Sequence, residues 1–456
     1  MKDIKAISKY NTTVTDEEIE NGVMDDSGVI YSPDGKRLLE ISLLDRNSKS
    51  SYTVKDGTEV ICDDAFMGCI SLKSIVLPKS VELIGKAPFT IGTEIVSHSD
   101  RFAVKDGLLI DLEEKRLIQC ISNKKKHIEV PERIESIGDS AFDECESLES
   151  IVLPNSVTHI GDSAFADCKS LQTITLSNSL TSIGNFAFYD CVSLQSIALP
   201  KSVEFIGKSP FTIGTEIVSH SDRFVVGEGL LIDLEEKRLI QCISNEEYIE
   251  VPEGIESIGD SAFAGCESLE SIVLPDSLTL IGDYAFSYCS SLESIVLPDS
   301  LTLIGDYAFQ CCGSLQSIVL PDSLTSIGYS AFDECESLQS ITLPESLTSI
   351  GNFAFSCCSS LQSITLPESV ISIGDNAFNC CSSLQSITLP ESLTSIGHFA
   401  FYCCSSLQSI VLPDSLTSIG YYAFDGCRSL ESIVLPDSAT SIGDVACGGG
   451  IILEKI

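Results

Sequence analysis

The sequence has no tryptophan, 3 methionines and 5 histidines. His98, His127, His159, His220 and His398 lack cysteine or carboxylate partners at ligand spacing, which excludes a histidine-based metal or catalytic centre and leaves them as structural or solvated residues. No apolar run reaches 18 residues, so a membrane-spanning helix is excluded. The first ten residues are polar and lack the apolar core of a secretory signal, which favours an intracellular location. Basic residues are scarce: 27 Lys and Arg stand against 66 Asp and Glu, for a net charge of −39. Between Arg238 and Lys455 the only Lys or Arg is Arg428. Nucleic acid and anionic membrane surfaces are repelled by such a field, whereas a basic protein or divalent cations are drawn to it. Phosphate-cradling Gly-Lys-Ser/Thr loops and dinucleotide fingerprints are missing as well.

What the chain has instead is repetition. A stretch beginning Leu292-Glu293-Ser294-Ile295-Val296-Leu297-Pro298 starts again at Leu315, and leucines at 269, 292, 315, 338, 361, 384, 407 and 430 keep a period of 23. A second run holds Leu148, Leu171 and Leu194, and an isolated copy begins at Leu72. A length of 456 residues would ordinarily suggest about three domains. A fixed period in the twenties means a solenoid instead, in which each coil packs only on its neighbours.

One coil can be read in physical terms. Leu292, Ile295 and Leu297 face inward along a short strand, with Ser294 and Val296 outward. Pro298 has no N–H and suits the strand end. Leu301 and Ile304 make a second inward segment, and Gly305 marks a tight turn where positive φ is tolerated. Ala308-Phe309 predicts a single helical or 3₁₀ turn at the corner. Cys312 and its equivalents occupy one inward slot per coil, so the 20 cysteines read as buried free thiols rather than disulfides. Gly138-Asp139-Ser140-Ala141 and Gly161-Asp162-Ser163-Ala164 fall at the same corner and lack a base to activate the serine.

Two near-identical segments interrupt the coils. Asp106-Gly107-Leu108-Leu109-Ile110-Asp111 followed by Lys115-Arg116-Leu117-Ile118 predicts a β-hairpin, and the pattern recurs from Gly229 to Ile243. The chain divides into a lead-in and cap with its own hairpin (1–57), with residues 1–25 loosely packed, first repeats (58–94), a hairpin insert (95–130), repeats (131–216), a second insert (217–251), uninterrupted repeats (252–446) and a C-terminal end (447–456) covering the open core.

The pattern Leu-x-x-Ile-x-Leu-Pro-x-Ser-Leu-x-x-Ile-Gly-x-x-Ala-Phe-x-x-Cys, over roughly residues 58–446, resembles the BspA-like leucine-rich repeat family, with its surface-antigen-type 23-residue repeats. The resemblance implies a right-handed leucine-rich repeat solenoid of short parallel strands on two faces. It also implies interaction or adhesion roles without a catalytic centre or cofactor, and a cell-surface or secreted setting.

Function is therefore sought on the surface. The outward strand rows include Gln316, Gln339, Gln362, Gln385 and Gln408, and Thr342, Thr365 and Thr388; Glu113, Glu114, Glu235 and Glu236 lie in the charged turns of the inserts. These are the candidate partner-binding residues for a protein partner met by a concave sheet and the hairpins. The acidic row Asp276, Asp299, Asp322, Glu345, Glu368, Glu391, Asp414 and Asp437 points to a second reading, an array stabilised by calcium. The Ser/Thr rows point to a third, recognition of a periodic polymer.

Overall fold

The structure is a computed structural model, and it describes residues 11–447 and 452–455. The chain forms two compact units, Met1–Asp222 and Arg223–Ile456. Each is a β-solenoid of short parallel strands. In the second unit Ser317, Ile318 and Val319 pair in parallel with Ser340, Ile341 and Thr342, a shift of one repeat. The second segment of the coil makes its own ladder, with Leu280 and Ile281 beside Leu303 and Ile304. The first unit repeats both ladders, as in Ser150–Val152 with Thr173–Thr175 and His159–Ile160 with Ser182–Ile183.

The core of each coil is the predicted set. Leu292, Leu301, Ile304, Phe309 and Cys312 are almost wholly buried. The phenylalanines stack: centroids of Phe263, Phe286 and Phe309 are 4.9 and 5.2 Å apart, with planes within 6°. Past the first coil of each run, from Cys168 in the first unit and Cys289 in the second, the inward thiols donate to a carbonyl of the coil before. Cys312 Sγ lies 3.1 Å from the Phe286 oxygen and Cys335 Sγ 3.2 Å from the Phe309 oxygen. All cysteines are free thiols. The serine after proline has a related task. Ser300 Oγ donates to the Leu278 carbonyl at 2.6 Å, satisfying a backbone acceptor that the strand end leaves over.

The corners are turns, not the helical or 3₁₀ segments that Ala308-Phe309 suggested. The reason is where the N–H groups go. Those of Tyr307, Phe309 and Cys311 cross to the carbonyls of Tyr329, Ala331 and Asp333 in the next coil, at 2.7–2.9 Å. Only the alternate ones, Gln310 and Cys312, fold back three residues. Tyr307 and Cys311 consequently take positive φ, at 57° and 58°. Gly305 does not; its constraint is contact. A Cβ there would lie 2.5 Å from Asp283 Oδ1 and 2.7 Å from the Gly282 carbonyl carbon, so glycine lets adjacent coils approach.

Three antiparallel meanders precede the coils. They comprise Val23–Met24, Val29–Tyr31 and Arg37–Ile41; Phe102–Lys105, Leu108–Asp111 and Arg116–Cys120; and Phe224–Gly227, Leu230–Asp233 and Arg238–Cys242. In each the last strand pairs in parallel with the first coil that follows. The register shifts at the same place in the middle strand, between Ile30/Tyr31, Leu109/Ile110 and Leu231/Ile232. The inserts are thus built like the N-terminal hairpin, as starters of a new array. In the first unit the Gln119 side chain exchanges two bonds with the backbone of Phe89, at 2.7 and 3.2 Å, in place of a following coil.

Of the lead-in, residues 1–10 lie outside the described residues. Asp16–Glu20 is a helix with a complete capping box between Thr15 and Glu18, and Glu18 reaches back to pair with Arg37 of the first meander. At the other end Ile452–Lys455 adds a parallel strand to Ser432–Leu435, while Gly448-Gly449-Gly450 lies outside the described residues.

Candidate interaction surfaces

The strand face carries the predicted rows. Gln316, Gln339, Gln362, Gln385 and Gln408 are exposed, as are Thr342, Thr365 and Thr388. Their positions are fixed by backbone. The Gln339 N–H donates to the Gln316 carbonyl and the Gln385 N–H to the Gln362 carbonyl, both at 2.9 Å, and Ile341, Ile364 and Ile387 between the rows are buried. The side chains hence stand at the strand repeat of about 4.8 Å. Val296 and Val411 are 82% exposed, so the face is mixed rather than uniformly hydrophilic. The acidic row beyond proline, from Asp276 to Asp437, is exposed. Its carboxylates come one per coil. Among the described residues no three His, Cys, Asp or Glu side chains form a group able to hold a metal ion.

The glutamates of the inserts are tied into ion cages. In the first insert Asp111 is wholly buried and accepts from Arg101 at 2.7–3.0 Å and from the N–H groups of Glu113 and Glu114 at 3.0 Å. Glu114 and Glu113 close on the same guanidinium at 3.0 and 3.5 Å. In the second, Asp233, Arg223, Glu235 and Glu236 repeat the arrangement. The cage holds a turn whose apex is apolar: Leu112 and Leu234 are 54% and 52% exposed. Their aliphatic side chains, standing out on a rigid turn, escaped a reading that attended to charge.

A second surface was also missed. At the corner, Tyr284 and Tyr307 stack at 4.5 Å with planes 6° apart, Tyr329 follows at 5.2 Å and Phe353 at 5.4 Å. Phe399 and Tyr422 stack at 5.1 Å further along the same unit. The signal was present in the two variable positions of Ile-Gly-x-x-Ala-Phe, where a period of 23 aligns aromatic rings.

The cysteine beside the inward one forms a separate row. Cys311, Cys357, Cys380 and Cys403 are only partly buried. Burial, followed by the Glu334 carboxylate 3.3 Å away, pushes the Cys311 thiol up to about 12. Burial and then Cys357 and Cys403 push Cys380 up as well. Labelling of the native protein with a maleimide is expected to reach this row and Cys447 alone, slowly near neutral pH and faster in alkali, since the thiolate reacts. Denaturation should release all 20. Rapid native labelling of Cys312 or Cys358 would contradict the packing described.

A family model for the "BspA type Leucine rich repeat region (6 copies)" matches residues 43–97, 119–220, 235–352 and 325–454. The chain belongs to this family. As a BspA-type repeat protein it is built on a scaffold that generally serves binding rather than catalysis, and LRR proteins typically bind proteins. A leucine-rich repeat protein from Bacteroides ovatus is similar at 26% identity and a TM-score of 0.52, over 97% of this chain and 99% of that one. One from Eubacterium ventriosum is 21% identical with a TM-score of 0.46, over 89% and 92%. A leucine rich cell surface protein from Faecalibacterium prausnitzii is 21% identical with a TM-score of 0.35, over 90% and 94%. Comparison with curated proteins finds no match. Among the described residues no helix is long and apolar enough to cross a membrane.

Proposed function

We propose that this BspA-type chain is a non-enzymatic interaction scaffold that presents its strand face and insert apices to a protein partner. The observation that supports this most is the construction of the apex. A buried carboxylate, an arginine and two glutamates are spent on holding one exposed leucine, Leu112 or Leu234, on a rigid turn. A folded protein gains nothing in stability from an exposed leucine, whereas a preorganised apolar tip lowers the cost of ordering on binding. The strand rows then supply register and polar complementarity around that contact, and Gln316 to Gln408 with Thr342, Thr365 and Thr388 are the proposed contact residues.

The test is capture of binding proteins from the source cell and its surroundings with the full chain and with the L112S/L234S variant. The apices are exposed, so the variant should keep the parent's melting temperature while losing at least one specifically captured protein. An identical captured set from both proteins would remove the apices from the proposal.

A further inference from the structure

The aromatic corner of the second unit joins open ring area to a row of carboxylates. Tyr284 is 41% exposed and stacks on Tyr307 on one side. On its other side the preceding coil carries Ser261, a side chain too short to cover a ring. Asp260, Asp283 and Asp306 stand one residue before Ser261, Tyr284 and Tyr307 in successive coils. Their Oδ1 atoms are committed: each accepts the N–H of the next coil, from Asp283 at 3.1 Å, Asp306 at 2.8 Å and Tyr329 at 2.6 Å. These bonds engage Oδ1 and so fix where each carboxylate sits. The Arg238 side chain lies against Gly259, beside Asp260 at the start of the row, but no lysine or arginine occurs between residues 239 and 427, the stretch that carries Asp283 and Asp306.

We infer that this corner is a binding site for an arginine- or lysine-bearing peptide segment, with Tyr284 as the platform for a cationic side chain and Asp283 and Asp306 as its counter-charges. Arginine stacks on a tyrosine face and pairs with a carboxylate at the same time, and the attraction grows where both are offered together. Successive carboxylates at about 4.8 Å suit flexible basic side chains arriving from an extended peptide. The inference rests on the scaffold reading but uses neither the strand rows nor the insert apices.

The fold itself supplies safe variants. Ser261 and Ser330 already occupy the tyrosine position with the same positive φ, at 57° and 51°. Asn352 occupies the aspartate position and accepts from Asp375 N at 2.8 Å, as Asp283 does from Asp306. The probe is a fluorescein-labelled peptide of four arginines alternating with glycine, followed by anisotropy with the full chain at low salt. Y284S/Y307S and D283N/D306N are each expected to raise Kd by about tenfold. D276N/D299N, which removes equal charge from the row beyond proline, should change it by less than about twofold. A peptide with glutamine in place of arginine should not bind. The inference is overturned if the parent fails to bind the arginine peptide or binds the glutamine peptide as tightly. It is overturned equally if Y284S/Y307S binds like the parent, or if D276N/D299N weakens binding as much as D283N/D306N. An identical captured set from the parent and L112S/L234S, with this peptide binding intact, would count against the proposed function alone.

Discussion

Replacing Phe355 with alanine is expected to destabilise the second unit by about 3–5 kcal/mol. Phe355 is wholly buried, 5.5 Å from Phe332 on one side and 5.5 Å from Phe378 on the other, with planes within 12° of both. Removing the ring opens a cavity that both neighbours border. Neither can close it without leaving its own stack, because the backbone around them is pinned. The Phe355 N–H donates to Ala377 O, and the Cys381 thiol donates to the Phe355 carbonyl. Stability in a solenoid is close to a sum of coil and interface contributions, so one central change weakens two interfaces. Phe424→Ala, with a stacked neighbour in Phe401 alone, should cost less. Denaturant unfolding followed by far-UV circular dichroism provides the measurement; a Phe355→Ala midpoint equal to the parent's would refute the ladder account.

Asp233→Ala is the second large effect, at about 3 kcal/mol against the insert. The carboxylate is 1% exposed and receives Arg223 Nε at 2.9 Å, Arg223 Nη2 at 2.7 Å and the N–H groups of Glu235 and Glu236 at 3.0 and 3.2 Å. Alanine strands both turn amides. Arg223 keeps Glu235 and Glu236, which places the cost at the low end of the range for broken buried pairs. The same group gives a pH dependence. Burial pushes the Asp233 carboxyl up, but the Arg223 bonds and the two amides outweigh it, and it titrates below the ordinary carboxylate value. A depressed carboxyl contributes stability above its unfolded value, near 3.9, and loses it as pH falls through the folded value. Amide exchange across Leu230–Cys242 should therefore quicken in the parent below about pH 4. In Asp233→Ala it should already be fast at neutral pH; equal exchange in the two proteins would exclude the cage as a structural element.

The parts of this fold that could be read from sequence are those where one physical requirement recurs in every coil. An inward Leu, Ile, Phe and Cys each 23 residues apart admits one packing solution, and the thiol's carbonyl partner follows from the need to satisfy a buried donor. The corner could not be read in the same way. Local propensity at Ala308-Phe309 favours a helical turn, but hydrogen bonds to the next coil win, and their pattern depends on a neighbour that no local window contains. Gly305 illustrates the same limit: glycine signals either positive φ or close approach, and only the position of Asp283 decides for the second. The insert glutamates read as free charge because Arg101 and Arg223 lie more than ten residues upstream of them. The aromatic corner was legible in principle, since Tyr284 and Tyr307 are one repeat apart. It was obscured because attention to invariant positions passes over the variable ones, and those are where a regular scaffold differs from coil to coil.

The central claim is that cohesion resides in the inward ladders and the backbone, leaving the outward rows free for recognition. It is tested most directly by the melting temperature of a single variant in which Gln316, Gln339, Gln362, Gln385 and Gln408 are all changed to alanine. Exposed substitutions of this kind each fall within about 0.5 kcal/mol of neutral, so the variant should melt with the parent. A loss of stability approaching that of Phe355→Ala would mean that the strand face holds the coils together, and the claim would be wrong.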